Sequence, residues 1–191
     1  MGGSYIGNAA TFVVETIFSL YIVIVMLRLL LQLVRADFYN PVSQGIVRAT
    51  QPPLRVLRRV IPGVAGVDLA SVVLLLALQM TELWLVLLML GRDAALAGLV
   101  VLSIAKLVEL LLYVFLFAVL ALVILSWIQP NAYNPVVGLV SAIASPLMRP
   151  ARRLLPPMGG LDLSPIAVLL VLGVLLRLLV APLEHLGVSM L

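Results

Sequence analysis

YNPVSQGIVRATQPPLRVLRRVIPGVAGVDL, residues 39–69, returns 94 positions later as YNPVVGLVSAIASPLMRPARRLLPPMGGLDL, residues 133–163. Tyr39, Asn40 and Pro41 answer to Tyr133, Asn134 and Pro135, and Asp68 answers to Asp162, with no gap between the copies. Over residues 37–69, 12 of 33 positions are identical to their counterparts, too many for coincidence. A fixed internal period of this kind marks a duplicated unit.

The unit is set among apolar runs. The chain has 191 residues, 64% of them hydrophobic and 10% charged, with a mean hydropathy of +1.26. A soluble domain is about half apolar and a quarter charged, so an all-α integral membrane protein is expected. The first repeat is assigned to residues 1–93, with spans at about 9–34 and 68–90 around a cassette at 35–67. The second is assigned to residues 94–191, with spans at about 97–128 and 162–182 around a cassette at 129–161. Each run is long enough to cross a bilayer. Met1–Ala10 lacks the basic segment of a signal peptide, so no cleaved leader is expected.

Two spans per repeat is an even number, so the repeats insert in parallel. Eight of the twelve basic residues lie in the cassettes, and the positive-inside rule puts both cassettes in the cytoplasm and both termini outside. Tyr-Asn-Pro is a turn signal in each copy. A short helix over 42–51 is expected to stop at Pro52-Pro53. Over 54–61 a helical period gathers Leu54, Leu57, Val60 and Ile61 on one arc and Arg55, Arg58 and Arg59 on the other. That phase predicts an amphipathic interfacial helix with its aliphatic arc in the acyl boundary and its arginines on anionic lipid phosphates. Arg149, Arg152 and Arg153 carry the same role in the second copy. The alternative is a polar loop whose arginines only set topology. Asp68 with Ser71 is expected to cap the second span, and Ser164, with Pro165 in the first turn, to cap the fourth.

Glu15, Glu82, Lys106, Glu109 and Arg177 fall inside the spans, and counting from the cassette end at about 1.5 Å per residue puts all five in the outer part of the bilayer. Ionisable groups there either line a path or sit at the interface and tie helices together. The second reading fits better, because the midplane holds little polar beyond Ser19, Gln79 and Ser126. Arg28 is expected to snorkel to the cassette-side interface, and Ala94 with Gly98 hints at close helix packing. His185 has only Glu184 beside it, no cysteine is present, and no catalytic, metal or cofactor motif is found. An enzyme is the least supported class, no cofactor is expected, and nucleic acid is a poor partner for bases set between spans.

The doubled Tyr-Asn-Pro, Pro, Arg-Arg-x-x-Pro and Gly-x-Asp series, with Ser126-Trp127-Ile128 before its second copy and Ser164-Pro165 after it, closely resembles the YggT family, called YlmG in Gram-positive bacteria and chloroplasts. The resemblance covers nearly the whole chain. It implies a bacterial inner-membrane protein of osmotic or potassium stress tolerance, with links to cell division or nucleoid distribution and, in one plant relative, to haem attachment to a membrane cytochrome. With the basic cassettes, the expectation is a non-enzymatic scaffold or assembly protein. It would bind anionic membrane lipids and a membrane-protein partner or further copies of itself. The alternatives are a small potassium or proton channel component and a membrane-protein or haem-protein assembly helper.

Overall fold

The structure, a computed structural model, describes residues 2–63, 66–128, 134–155 and 162–191. Tyr133, Pro156 and Gly160 of the second cassette lie outside these residues. The described chain is helical: α1 (Gly2–Leu33), α2 (Pro41–Leu57), α3 (Leu69–Met89), α4 (Leu96–Ile128), α5 (Pro135–Leu154), α6 (Ser164–Leu175), a π-helical segment (Leu176–Val180) and α7 (Ala181–Ser189). Four stretches are long and apolar enough to span a membrane: Gly7–Leu33, Leu69–Met89, Leu96–Trp127 and Ser164–Ser189. The protein is therefore a four-span helical protein built from two tandem repeats.

Local chemistry sets the helix ends. Arg35 closes α1 in the left-handed conformation at φ 52°, with Ala36 N–H donating to the Leu31 carbonyl and Arg35 N–H to that of Gln32. That double bond pattern is the one glycine usually closes. Asn40 and Asn134 cap α2 and α5, each side-chain oxygen accepting the N–H two residues on at 2.9 Å. Pro41 and Pro135 follow in the first turn, where a missing N–H costs nothing.

Two expected helix ends need correction. Helix α2 does not stop at Pro52-Pro53 but runs through to Leu57. Pro53 leaves the Ala49 carbonyl without its helical donor, and the Tyr21 hydroxyl of α1 donates to it at 3.3 Å, so packing supplies what the proline removes. The fourth span likewise continues past Pro182 to Ser189. The π segment just before it, where Ala181 N–H reaches back to the Leu176 carbonyl, widens the helix and absorbs the ring.

Each repeat packs its first span on its second. In the first, Ile22, Val25, Met26 and Leu29 of α1 meet Leu74 and Leu75 of α3, with Leu54 of α2 closing the end of the core. In the second, Leu112 and Val119 of α4 meet Val168 and Leu172, with Leu139, Ile143 and Met148 of α5 in the equivalent place. The amphipathic helix thus turns Leu54, Leu57 and Ile61 onto the protein's own spans, where lipid contact was expected, and leaves Val60 exposed.

Close approach rather than hydrophobicity drives helix contact in lipid, and α4 meets α7 at glycines. A Cβ on Gly187 would stand 2.8 Å from the Leu102 backbone nitrogen, and one on Gly98 2.7 Å from that of Leu191. Gly187→Leu is expected to force these helices apart at a cost of about 1–3 kcal/mol, seen as a lower melting temperature in detergent. Gly173→Ala, with nothing within 4 Å of the added carbon, is expected to leave it unchanged.

Candidate functional site

The cassettes fold into a tie that their sequence spacing does not announce. In the first, Arg58 at the end of α2 reaches across the turn to Asp68 at the start of α3, with Nη2 at 2.5 Å and Nε at 3.4 Å from the carboxylate. Ser71 Oγ donates to the same carboxylate at 2.6 Å. In the second, Arg152 Nε donates to Asp162 at 2.9 Å, again ten residues apart. Arg58 and Arg152, expected to face lipid phosphates, instead hold each cassette helix to the span that follows it. Arg55, Arg59, Arg149 and Arg153 remain exposed at the same end.

The caps differ accordingly. Asp68 occupies the cap position of α3, but its carboxylate is turned to Arg58 and Ser71 and makes no bond to backbone N–H. On the fourth span Leu163 occupies the cap position, and Asp162 just before it accepts Ser164 N–H on Oδ1 at 3.0 Å. Ser164, the expected cap, is already helical and donates to the Leu155 carbonyl at 3.1 Å; Pro165 sits in the first turn. Burial pushes the Asp68 carboxyl up, but hydrogen bonds from Arg58 and Ser71 and the charges of Arg58 and Arg28 outweigh it and hold its pKa below the usual value. Asp162 is lowered in the same way: slight burial opposes, and bonds from Ser164 and Arg152 prevail.

Arg28 is the residue sequence reasoning misplaced. It does not snorkel but is buried, 6% exposed, with Nη1 donating to the Val47 carbonyl at 3.0 Å and to Thr50 Oγ1 at 2.7 Å, and Nη2 donating to Gln51 Oε1 at 2.9 Å. A signal existed. Arg28, Thr50 and Gln51 face Leu122, Ala144 and Ser145 in the second copy, so a positive charge and its partners are confined to one repeat. Beside this cluster a recess of about 570 Å³ is lined by Arg28, Gln32, Phe38, Val47, Arg58, Ile61, Pro62, Gly63 and Asp68. Two guanidinium groups and one carboxylate leave it net positive, with an apolar wall.

The two cassettes meet at one end of the bundle, where Asn40 Nδ2 donates to the Pro135 carbonyl at 2.6 Å. A recess of about 560 Å³ opens there between Asp37, Tyr39, Asn40 and Asn134, Pro135, Ser141. Toward the other end, Glu82 is buried and accepts from Gln79 at 2.8 Å and from Ser19 at 3.5 Å. Lys106 and Glu109 share a recess of about 180 Å³ with these three. Glu15 lines an adjoining groove on α1 that shares Ser19 with this recess, and Arg177 is exposed on the π segment, so the five span charges do not all line one recess. Among the described residues no three His, Asp or Glu side chains converge where a metal ion could bind.

Architecture and cassettes together define a class: a duplicated four-span helical membrane protein whose cassette helices are pinned at one end. The chain belongs to the CCB3/YggT family, whose model matches twice, at residues 7–89 and 101–183. It is 49% identical over 169 residues to the Uncharacterized protein PA0392 of Pseudomonas aeruginosa, covering 87% of this chain and 86% of that one. The Uncharacterized protein YggT of Escherichia coli K12 is 37% identical over 171 residues, 88% of this chain and 87% of that one. An uncharacterized protein of Haemophilus influenzae is 32% identical over 166 residues, 83% and 84% of the two chains. No solved structure matches the chain.

A carboxyl whose pKa is depressed by folding adds stability above its unfolded value, near about 3.9, and loses it as the pH falls through the folded value. The melting temperature is therefore expected to fall on the acid side, below about pH 4. Asp68→Asn should lower it at neutral pH by an amount equivalent to about 1–3 kcal/mol, because Arg58 loses its charged partner, and should flatten the acid decline. An acid decline as steep as in the unaltered protein would contradict this.

Proposed function

We propose that the protein is a non-enzymatic scaffold or assembly protein of a bacterial inner membrane whose cassette face holds anionic lipid headgroups. The observation that carries this reading is the net positive recess between Arg28 and Arg58. Its guanidinium groups suit a phosphate, and Phe38, Val47 and Ile61 suit the first carbons of an acyl chain. Arg55 and Arg59 stand exposed on the same cassette, each adding about 1 kcal/mol of attraction near an anionic surface. The second cassette offers Arg149 and Arg153. The basic count supports cytoplasmic cassettes and outward termini, and helical spans rather than a barrel support the inner membrane. The resemblance supplies the setting: tolerance of osmotic or potassium stress, with a role in division.

The outer recess at Glu82 and Lys106 favours a second reading, a cation or proton path. Against it, the buried polar side chains near the first repeat fall in two groups, Arg28, Thr50, Asp68 and Ser71 toward the cassettes and Gln79 and Glu82 beyond. Between them lies an apolar layer of Ile22, Val25, Met26, Leu74 and Leu75, about 12 Å deep at the helical rise. A path needs polar groups through that layer.

The purified full chain, incubated with phosphatidylglycerol or phosphatidylcholine in detergent and weighed intact by native mass spectrometry, tests the proposal. Several-fold more retained phosphatidylglycerol is expected, falling toward the phosphatidylcholine level with added salt or in the Arg55→Ala, Arg59→Ala variant. Equal retention of both lipids by the unaltered chain would overturn it.

A further inference from the structure

Part of the seam joining the repeats pairs a stripe of α3 with a stripe of α4, and a second copy of both stripes is left open. Within the chain, Met80 and Leu83 of α3 pack with Leu99 and Leu102 of α4, and Glu82 of α3 shares a recess with Lys106, Glu109, Leu110 and Tyr113 of α4. Shifting that α4 stripe back by the 94-residue period gives Phe12, Glu15, Thr16 and Ser19 of α1. Those four, with Leu20 and Val23, line an open groove of about 350 Å³ formed by α1 alone. Shifting Met80 and Leu83 forward gives Val174 and Arg177, both exposed. Of the α1 stripe, Phe12, Glu15 and Thr16 are exposed and only Ser19 at its end reaches α3, through Glu82; the stripe that meets α4 in the first repeat is exposed in the second at Val174 and Arg177.

The charges on the two bare stripes are complementary. Inside the chain the acid, Glu82, is on the α3 stripe and a base, Lys106, on the α4 stripe. At the open edges the signs exchange: Arg177 lies on the forward stripe and Glu15 on the groove. Both are exposed within apolar spans, and among the described residues neither forms an ion pair. Uncompensated charge facing lipid is costly, and each is what the other lacks.

We propose that a second copy of this chain docks head to tail, its Arg177 edge seated in the Glu15 groove. The repeats are parallel, so repeating the step that relates them keeps every copy in the same orientation in one bilayer. A contact of this kind joins unlike surfaces and closes into a ring where its rotation allows. A two-fold pairing of grooves would set Glu15 against Glu15, and the arrangement excludes it.

The chain has no cysteine, which makes the test direct. Full-length Thr16→Cys and Val174→Cys chains keep both charges and place thiols on opposite stripes. Reconstituted together in vesicles and treated with a short thiol cross-linker, they are expected to give dimers several-fold above the yield of either chain alone. Adding Glu15→Arg to the first chain should abolish the excess, and adding Arg177→Glu to the second should restore it. Like-with-like cross-linking at equal yield, no cross-linking in the mixture, or indifference to the charge exchange would each overturn the proposal.

Discussion

Arg58 and Asp68 are the contact on which the cassette depends. Helix α2 lies at the end of the bundle, and α3 must start beside it after a turn rich in proline and glycine. The ion pair bridges that turn. The Asp68 side chain is 6% exposed and that of Arg58 36%, so the pair is only partly screened by water and holds more firmly than a surface bridge. A negative group at the start of α3 also meets the positive end of the helix dipole. With α2 pinned, Leu54 is pressed into the core, and Arg28 finds the Val47 carbonyl, Thr50 and Gln51 within reach.

The second repeat keeps the pin and loses the rest. Arg152 and Asp162 pair at the same spacing but are more open, 54% and 31% exposed, and the positions of Arg28, Thr50 and Gln51 carry no charge there. Duplication therefore produced two copies of a structural joint and a single polar pocket beside one of them. This separates what the Arg and Asp do in each copy, which is to hold the helix, from what the first repeat adds, which is a net positive recess lined by Arg28, Arg58 and Asp68.

The large features were legible in the sequence because they depend on properties summed over many residues. Four apolar runs, the 94-residue period and the even span count needed no knowledge of contacts, and the helices follow them closely. The Asn40 and Asn134 caps were legible as turns, since Asn followed by Pro has local chemistry. The rest depended on partners distant in sequence. Nothing near Pro53 says that Tyr21 will satisfy the carbonyl it frees, and nothing near Arg58 says that Asp68 will take its charge. Leu54 and Leu57 both pack on the spans, but an apolar arc fits lipid and a protein core equally well, and only packing decides between them.

The most direct test of this account is a double-mutant cycle on Arg58→Ala and Asp68→Ala, with unfolding of the full chain followed in lipid-detergent micelles. If the pair pins α2 to α3, the two losses are not additive: removing the second partner costs less once the first is gone, with a coupling of about 1 kcal/mol or more, larger than that for Arg152 and Asp162. Additive losses, with no coupling between Arg58 and Asp68, would mean that the cassette is held by something else and would contradict the account.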